Sequence, residues 1–169
     1  MTAESAETTR WLSAGELESW LPVGGLLLRL PAALDAQMQR DSGLSHFEYL
    51  VLANLSEAPQ RTRRMSALAA LASGSLSRLS HVVKRLEARG WVERRACPED
   101  GRYTNAVLTE AGWEKVLESA PGHVAVVRSL VLDALSPDDL ARLGDMARRI
   151  MSRIEACDQN QVAGPPAPG

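Results

Sequence analysis

Ser77, Arg78, His81, Lys84 and Arg85 fall on one side of any helix drawn through residues 75–89, and Ser75 stands at its start. Side chains of these types suit one kind of partner, a polyanion with readable edges. Small hydroxyls such as Ser75 and Ser77 allow close approach to a base edge or a phosphate. Arg78 can donate two parallel hydrogen bonds to the O6 and N7 atoms of a guanine, and His81 can offer one ring nitrogen to a base or phosphate. Lys84 and Arg85 suit backbone phosphates, contacts that set register and carry no sequence information. A second set follows at once: Arg94 and Arg95, then Asp100 with Arg102 in a turn-forming stretch. An arginine at a hairpin tip can enter a narrow minor groove, where negative potential is enhanced, and Asp100 would hold it in position.

Charge is segregated to match. Residues 60–105 hold ten Lys/Arg against four acids, whereas the whole chain of 169 residues carries a formal charge of −2. A cationic module thus sits in an anionic frame, and such a local patch is the electrostatic footprint of phosphate binding.

The elements that would position these side chains are readable from periodicity. A helix is expected over about Ala14–Arg40, bent or restarted at Pro22 and Pro31 and ended by Asp41-Ser42-Gly43. Ser45 and Glu48 form a capping-box pair for a second helix, which Ala58-Pro59 stops. A short helix over Met65–Ala72, a Ser73-Gly74-Ser75 turn and a helix over Ser75–Arg89 follow, the last with Leu76, Leu79, Val83 and Leu86 inward. Gly90 supplies a left-handed cap. Trp91–Arg95 and Arg102–Leu108 read as strands with Pro98–Gly101 at the hairpin tip. Thr109 caps a helix from Glu110 to about Ser119, which Ala120-Pro121-Gly122 interrupts before an apolar helix from His123 to Leu135. Ser136-Pro137-Asp138-Asp139 starts a last helix running to about Ala156.

The fold class is therefore mainly α with a small β-hairpin wing, a winged helix-turn-helix. The expected organisation is a flexible stretch 1–12, a domain over 13–157 and a disordered Pro/Gly-rich tail 158–169. Within the domain the winged helix occupies about 44–110, and the helices about 14–41 and 111–157 flank it. Apolar faces on those flanking helices need cover, from a second copy or from each other.

Other classes find little support. No apolar run reaches membrane-spanning length, and MTAESAETTR has no basic region followed by an apolar one, so a cytoplasmic protein is expected. Cys97 and Cys157 lack metal-site spacing, and three scattered histidines make no metal site, so no cofactor is expected. No phosphate-cradling glycine loop, G-x-S-x-G, H-E-x-x-H or paired carboxylates point to an enzyme.

Arg85-Leu86-Glu87 with Gly90, Asp100 with Arg102, Leu108-Thr109 with Gly112, and Gly43-Leu44-Ser45 with Tyr49 together resemble the signature of the MarR family of bacterial transcription factors, over about residues 14–156. The resemblance implies a homodimer joined by its terminal helices, each protomer presenting one winged helix to half of a pseudo-palindromic operator on double-stranded DNA. It also implies repression relieved by a small aromatic or anionic effector. The matching effector region would draw on Trp20, Gly24, Leu28, His46 and Tyr49, with Trp113 or His123 beside them. Two alternatives stay open at this point: a thiol-based redox sensor, with Cys97 activated by its neighbours Arg94 and Arg95, and a winged helix used for protein contact without DNA.

Overall fold

The computed structural model describes residues 9–71, 75–98 and 100–162. Much of the expected flexible start, the expected Ser73-Gly74 turn, Glu99 and the end of the expected tail lie outside these residues.

Helix α1 spans Ala14–Ser42, opened by a capping box between Ser13 and Glu16 and closed by Gly43 in the left-handed region at φ 64°. It passes through Pro22 and Pro31 without the expected restart. Each proline frees one carbonyl four residues back, on Glu18 and Leu27. Both residues are exposed, so water can satisfy what the proline leaves. Helix α2, His46–Ser56, begins at the expected Ser45–Glu48 capping box.

A three-residue strand missed by periodicity, β1 at Thr62–Arg64, leads into α3 at Met65–Leu71. Helix α4, Leu76–Ala88, is capped by Ser75, whose hydroxyl accepts from the Arg78 amide at 3.1 Å. It ends in a six-residue cap: Gly90 adopts φ 73°, its amide donates to Glu87, and Trp91 donates to Leu86. Strands β2, Val92–Ala96, and β3, Thr104–Leu108, complete an antiparallel sheet in the order β1-β3-β2. The hairpin is thus a three-stranded sheet, with Arg94 opposite Ala106 and Thr62 opposite Val107.

The core gathers Met38, Leu44, Leu52, Leu55, Leu68, Leu79, Val83, Leu86 and Ala106. Burying a leucine or valine side chain contributes roughly 1.5–3 kcal/mol, so these contacts hold α4 against α2, α3 and the sheet. Within α4 the inward set is Leu79, Val82, Val83 and Leu86. Leu76 is half exposed, contrary to expectation, because it occupies the first helical position and faces the wing.

Helix α5, Glu110–Val127, runs on through Pro121, whose freed carbonyl belongs to exposed Leu117. Its continuation Arg128–Leu132 is π-helical, closed by Asp133 donating to the Arg128 carbonyl. The chain divides into two compact units, residues 1–123 and 124–169. The second contains α6, Pro137–Val162, which starts at the expected Ser136 cap and extends past Ala156 into the segment expected to be a disordered tail. On it Met146, Ile150, Met151 and Ile154 lie exposed. The first unit exposes Leu17, Trp20, Leu21, Leu27 and Leu28 on α1. None of the described helices is long and apolar enough to cross a membrane.

Candidate nucleic-acid interface

The α4 face opposite its buried stripe carries Ser77, Arg78, His81, Lys84 and Arg85, all exposed, with the Ser75 cap at its amino end. Helix N-termini carry partial positive charge, so this end also favours an anion. Among the described residues Arg78, His81 and Lys84 hold no acidic partner. Arg85 does: its Nε lies 3.0 Å from a carboxylate oxygen of Glu48, which is buried on α2. Burial pushes the Glu48 carboxyl up, yet the Ser45 amide, Arg85 and the Ser45 hydroxyl outweigh it and hold it below the usual carboxylate range. Arg85 is therefore a tether for α4 as well as a surface cation.

The wing arginines are sorted by strand alternation. Arg94 turns back toward α4 and donates from Nε to Glu87 at 2.7 Å, while Glu87 also accepts from the Arg94 amide at 3.0 Å. Arg95 falls on the opposite face of β2 and pairs with Glu93 there at 2.6 Å. At the tip Asp100 accepts from the Arg102 amide and takes its guanidinium in a fork at 3.0 and 2.7 Å. That bond keeps the Asp100 carboxyl below its usual range. The Arg102 side chain is still 84% exposed, so its remaining donors face outward. Arg64, Ser66, Leu76, Ser80, Arg94 and Arg102 line a groove of about 300 Å³ between wing and helix.

Three further basic residues of the charged window serve the fold. Arg61 pairs with Glu110 and lies over Trp113, Arg63 donates to the Asn54 carbonyl, and Arg89 donates to the Gly43 carbonyl. Sequence reasoning also missed Phe47, whose ring lies 4.5 Å beneath the Arg78 guanidinium, and Tyr103, which lies under Arg64. Only tertiary contact joins these pairs, and no local spacing announces it.

Cys97, expected to be activated by its neighbours Arg94 and Arg95, is instead buried beside the Arg64 guanidinium, 3.9 Å from Nη2. A sensing thiol needs access as well as a lowered pKa, and burial denies it. Cys157 is exposed on α6.

The residues assigned to an effector divide into two groups. Trp20, Gly24 and Leu28 lie on the amino-terminal half of α1, with Trp20 and Leu28 exposed. His46 and Tyr49 meet His123 of α5, ring centroids 5.3 and 4.7 Å apart, roughly 25 Å along α1 from Trp20 if measured from the Gln37 level. Gln37 itself reaches α5, because a Cβ on Gly122 would lie 3.2 Å from its Nε2. Trp113 stands apart, beneath Arg61.

Burial holds the His46 imidazole below its usual 6.5 although Asp35 pulls the other way, and burial with His46 nearby depresses His123. The unfolded chain then takes up protons at a higher pH than the folded one, so stability falls as pH drops through about 6.5. Urea unfolding at pH 7.5 and 5.5 should show this loss, and His123→Gln should reduce it. Equal stabilities at the two pH values would contradict the assignment.

A cationic helix end beside an arginine-tipped, three-stranded wing defines the class: a winged helix-turn-helix module that reads DNA. The sequence profile of the MarR family matches residues 42–102. The chain is 42% identical to Sco3205 of Streptomyces coelicolor, a MarR family transcriptional regulator solved in complex with DNA, with a TM-score of 0.83 over 85% of this chain and 94% of that one. AbsC, a MarR family regulator of the same organism, is 38% identical with a TM-score of 0.83 over 88% and 99%. The HTH-type transcriptional regulator MhqR of Bacillus subtilis (strain 168) is 30% identical over 64% of this chain and 72% of its own. The chain belongs to the MarR family and is a DNA-binding transcriptional regulator.

Proposed function

We propose that the chain acts as a homodimeric repressor on a pseudo-palindromic operator, each protomer laying α4 in the major groove and the wing against the flanking backbone or minor groove. One observation carries this reading: Arg78, His81 and Lys84 share one exposed helix face and have no acidic partner among the described residues, next to an outward Arg102 braced by Asp100. In the complex Ser75, Ser77, Arg78 and His81 approach base edges and adjoining phosphates. Lys84, Arg85 and Arg102 hold the phosphate backbone, with Arg94 at the groove wall and Arg95 outside it.

Dimerisation is supported by apolar side chains left open in both units, on α1 and on α6, since patches of this kind mark association surfaces. A two-fold pair places two recognition helices at one helical turn of DNA. Repression is supported by a relative, the transcriptional repressor MprA of Escherichia coli (strain K12), 27% identical over 75% of this chain and 71% of its own. For the effector we favour the His46, Tyr49 and His123 cluster. The buried Gln37 Oε1, Ser119 Oγ and His123 Nδ1 atoms there have no hydrogen-bond partner among the described residues, which suits a small polar molecule.

Selection of bound fragments from random duplexes tests this reading. The expected result is a motif of two inverted half-sites with centres about 10 base pairs apart or a multiple of that. A single unrepeated half-site contradicts the dimeric reader, and a pool without enrichment contradicts sequence reading altogether.

A further inference from the structure

We infer that Phe47 is the positioning residue that gives Arg78 its base-reading geometry, an inference that rests on the DNA-reading assignment above. The Arg78 guanidinium carbon lies 4.5 Å from the centre of the Phe47 ring, and no acid competes for it among the described residues. A guanidinium carries its five donors in its own plane. Phe47 has no lone-pair acceptor, so a contact with its ring face leaves those donors free for the O6 and N7 of a guanine. An acidic partner, such as Glu48 gives Arg85, would occupy them instead.

Phe47 and Glu48 are adjacent on α2, and Arg78 and Arg85 stand seven residues apart, two turns along the same face of α4. One short stretch of α2 thus fixes both arginines by different chemistry. The aromatic contact leaves a reader's donors available; the carboxylate contact holds a tether. Phe47 is itself anchored, being half-buried against the core that contains Leu44 and Leu79. An arginine held over the ring keeps few rotamers in the free protein, so fewer are lost on DNA. Closing a duplex over the pair removes water, and the attraction between cation and ring then grows.

Phe47 is the chain's only phenylalanine. Fluorinated phenylalanines supplied in place of phenylalanine therefore alter the full-length protein at this position alone. Each fluorine drains charge from the ring face at almost constant shape. The readout is the ratio of affinities for the selected duplex and for a scrambled one. With increasing fluorination that ratio should fall stepwise, about three- to tenfold in all. Phe47→Tyr should keep it, and binding to scrambled DNA and the melting midpoint should hardly move. In an Arg78→Ala background the fluorination effect should vanish. A ratio indifferent to fluorination, or an effect that persists without Arg78, overturns the inference. A protein that never distinguishes the two duplexes overturns the DNA-reading assignment and this inference together, whereas discrimination that survives fluorination overturns the inference alone.

Discussion

Gly112→Ala is expected to lower the melting midpoint by about 10 °C, corresponding to a loss on the order of 3 kcal/mol. A Cβ at this position would stand 2.1 Å from the Trp91 carbonyl oxygen and 2.7 Å from a methyl of Leu108. The oxygen belongs to backbone and cannot swing away. It accepts from the Thr109 amide at 3.1 Å, while the Thr109 hydroxyl donates to the Gly90 carbonyl at 2.7 Å and accepts from the Gly112 amide at 3.0 Å. The start of α5 is thereby clamped onto the turn that ends α4 and opens β2. Any shift that relieves the clash must move the recognition helix relative to the wing. DNA affinity should consequently fall in protein that is still folded at low temperature. Gly15→Ala is the control: nothing lies within 4 Å of its Cβ position, and in a helix alanine equals or improves on glycine. Thermal unfolding followed by circular dichroism checks both, and an unshifted midpoint for Gly112→Ala would refute the clamp.

Arg78→Ala is expected to cost about 1–3 kcal/mol at the cognate site and little on unrelated duplexes. Arg102→Ala should behave differently. It removes a cation and leaves the Asp100 carboxylate without its guanidinium partner at the wing tip, so the loss should be similar on every sequence and larger at low salt. Anisotropy titrations of both variants on cognate and scrambled duplexes separate the roles. Equal losses on both duplexes for Arg78→Ala would contradict base reading.

Local signals carried much of the fold into the sequence. The Ser45–Glu48 box, the Ser75 cap, the Gly90 turn and the Ser136 start all depend on residues within five positions of one another, and all form as read. What escaped depends on distant partners or on solvent. Strand β1 exists because Thr62–Arg64 finds β3 more than forty residues later. Pro121 breaks nothing because the carbonyl it frees lies on an exposed turn of α5. Leu76 fits the periodicity of an inward residue, yet the first turn of α4 faces the wing groove. At the interface the cationic face of α4 was legible from phase alone. The sorting of its arginines was not, because Glu48 and Phe47 come from another helix and Glu87 reaches across to β2.

Salt titration of duplex affinity addresses the α4-and-wing interface most directly. Two or three phosphate-binding cations per protomer, doubled by a two-fold pair, should give a plot of log affinity against log salt with a slope of about −4 or steeper. Lys84→Ala should make that slope shallower by about two units in a dimer, one for each protomer. A flat plot, or no retention of any duplex at about 50 mM salt, would contradict the interface.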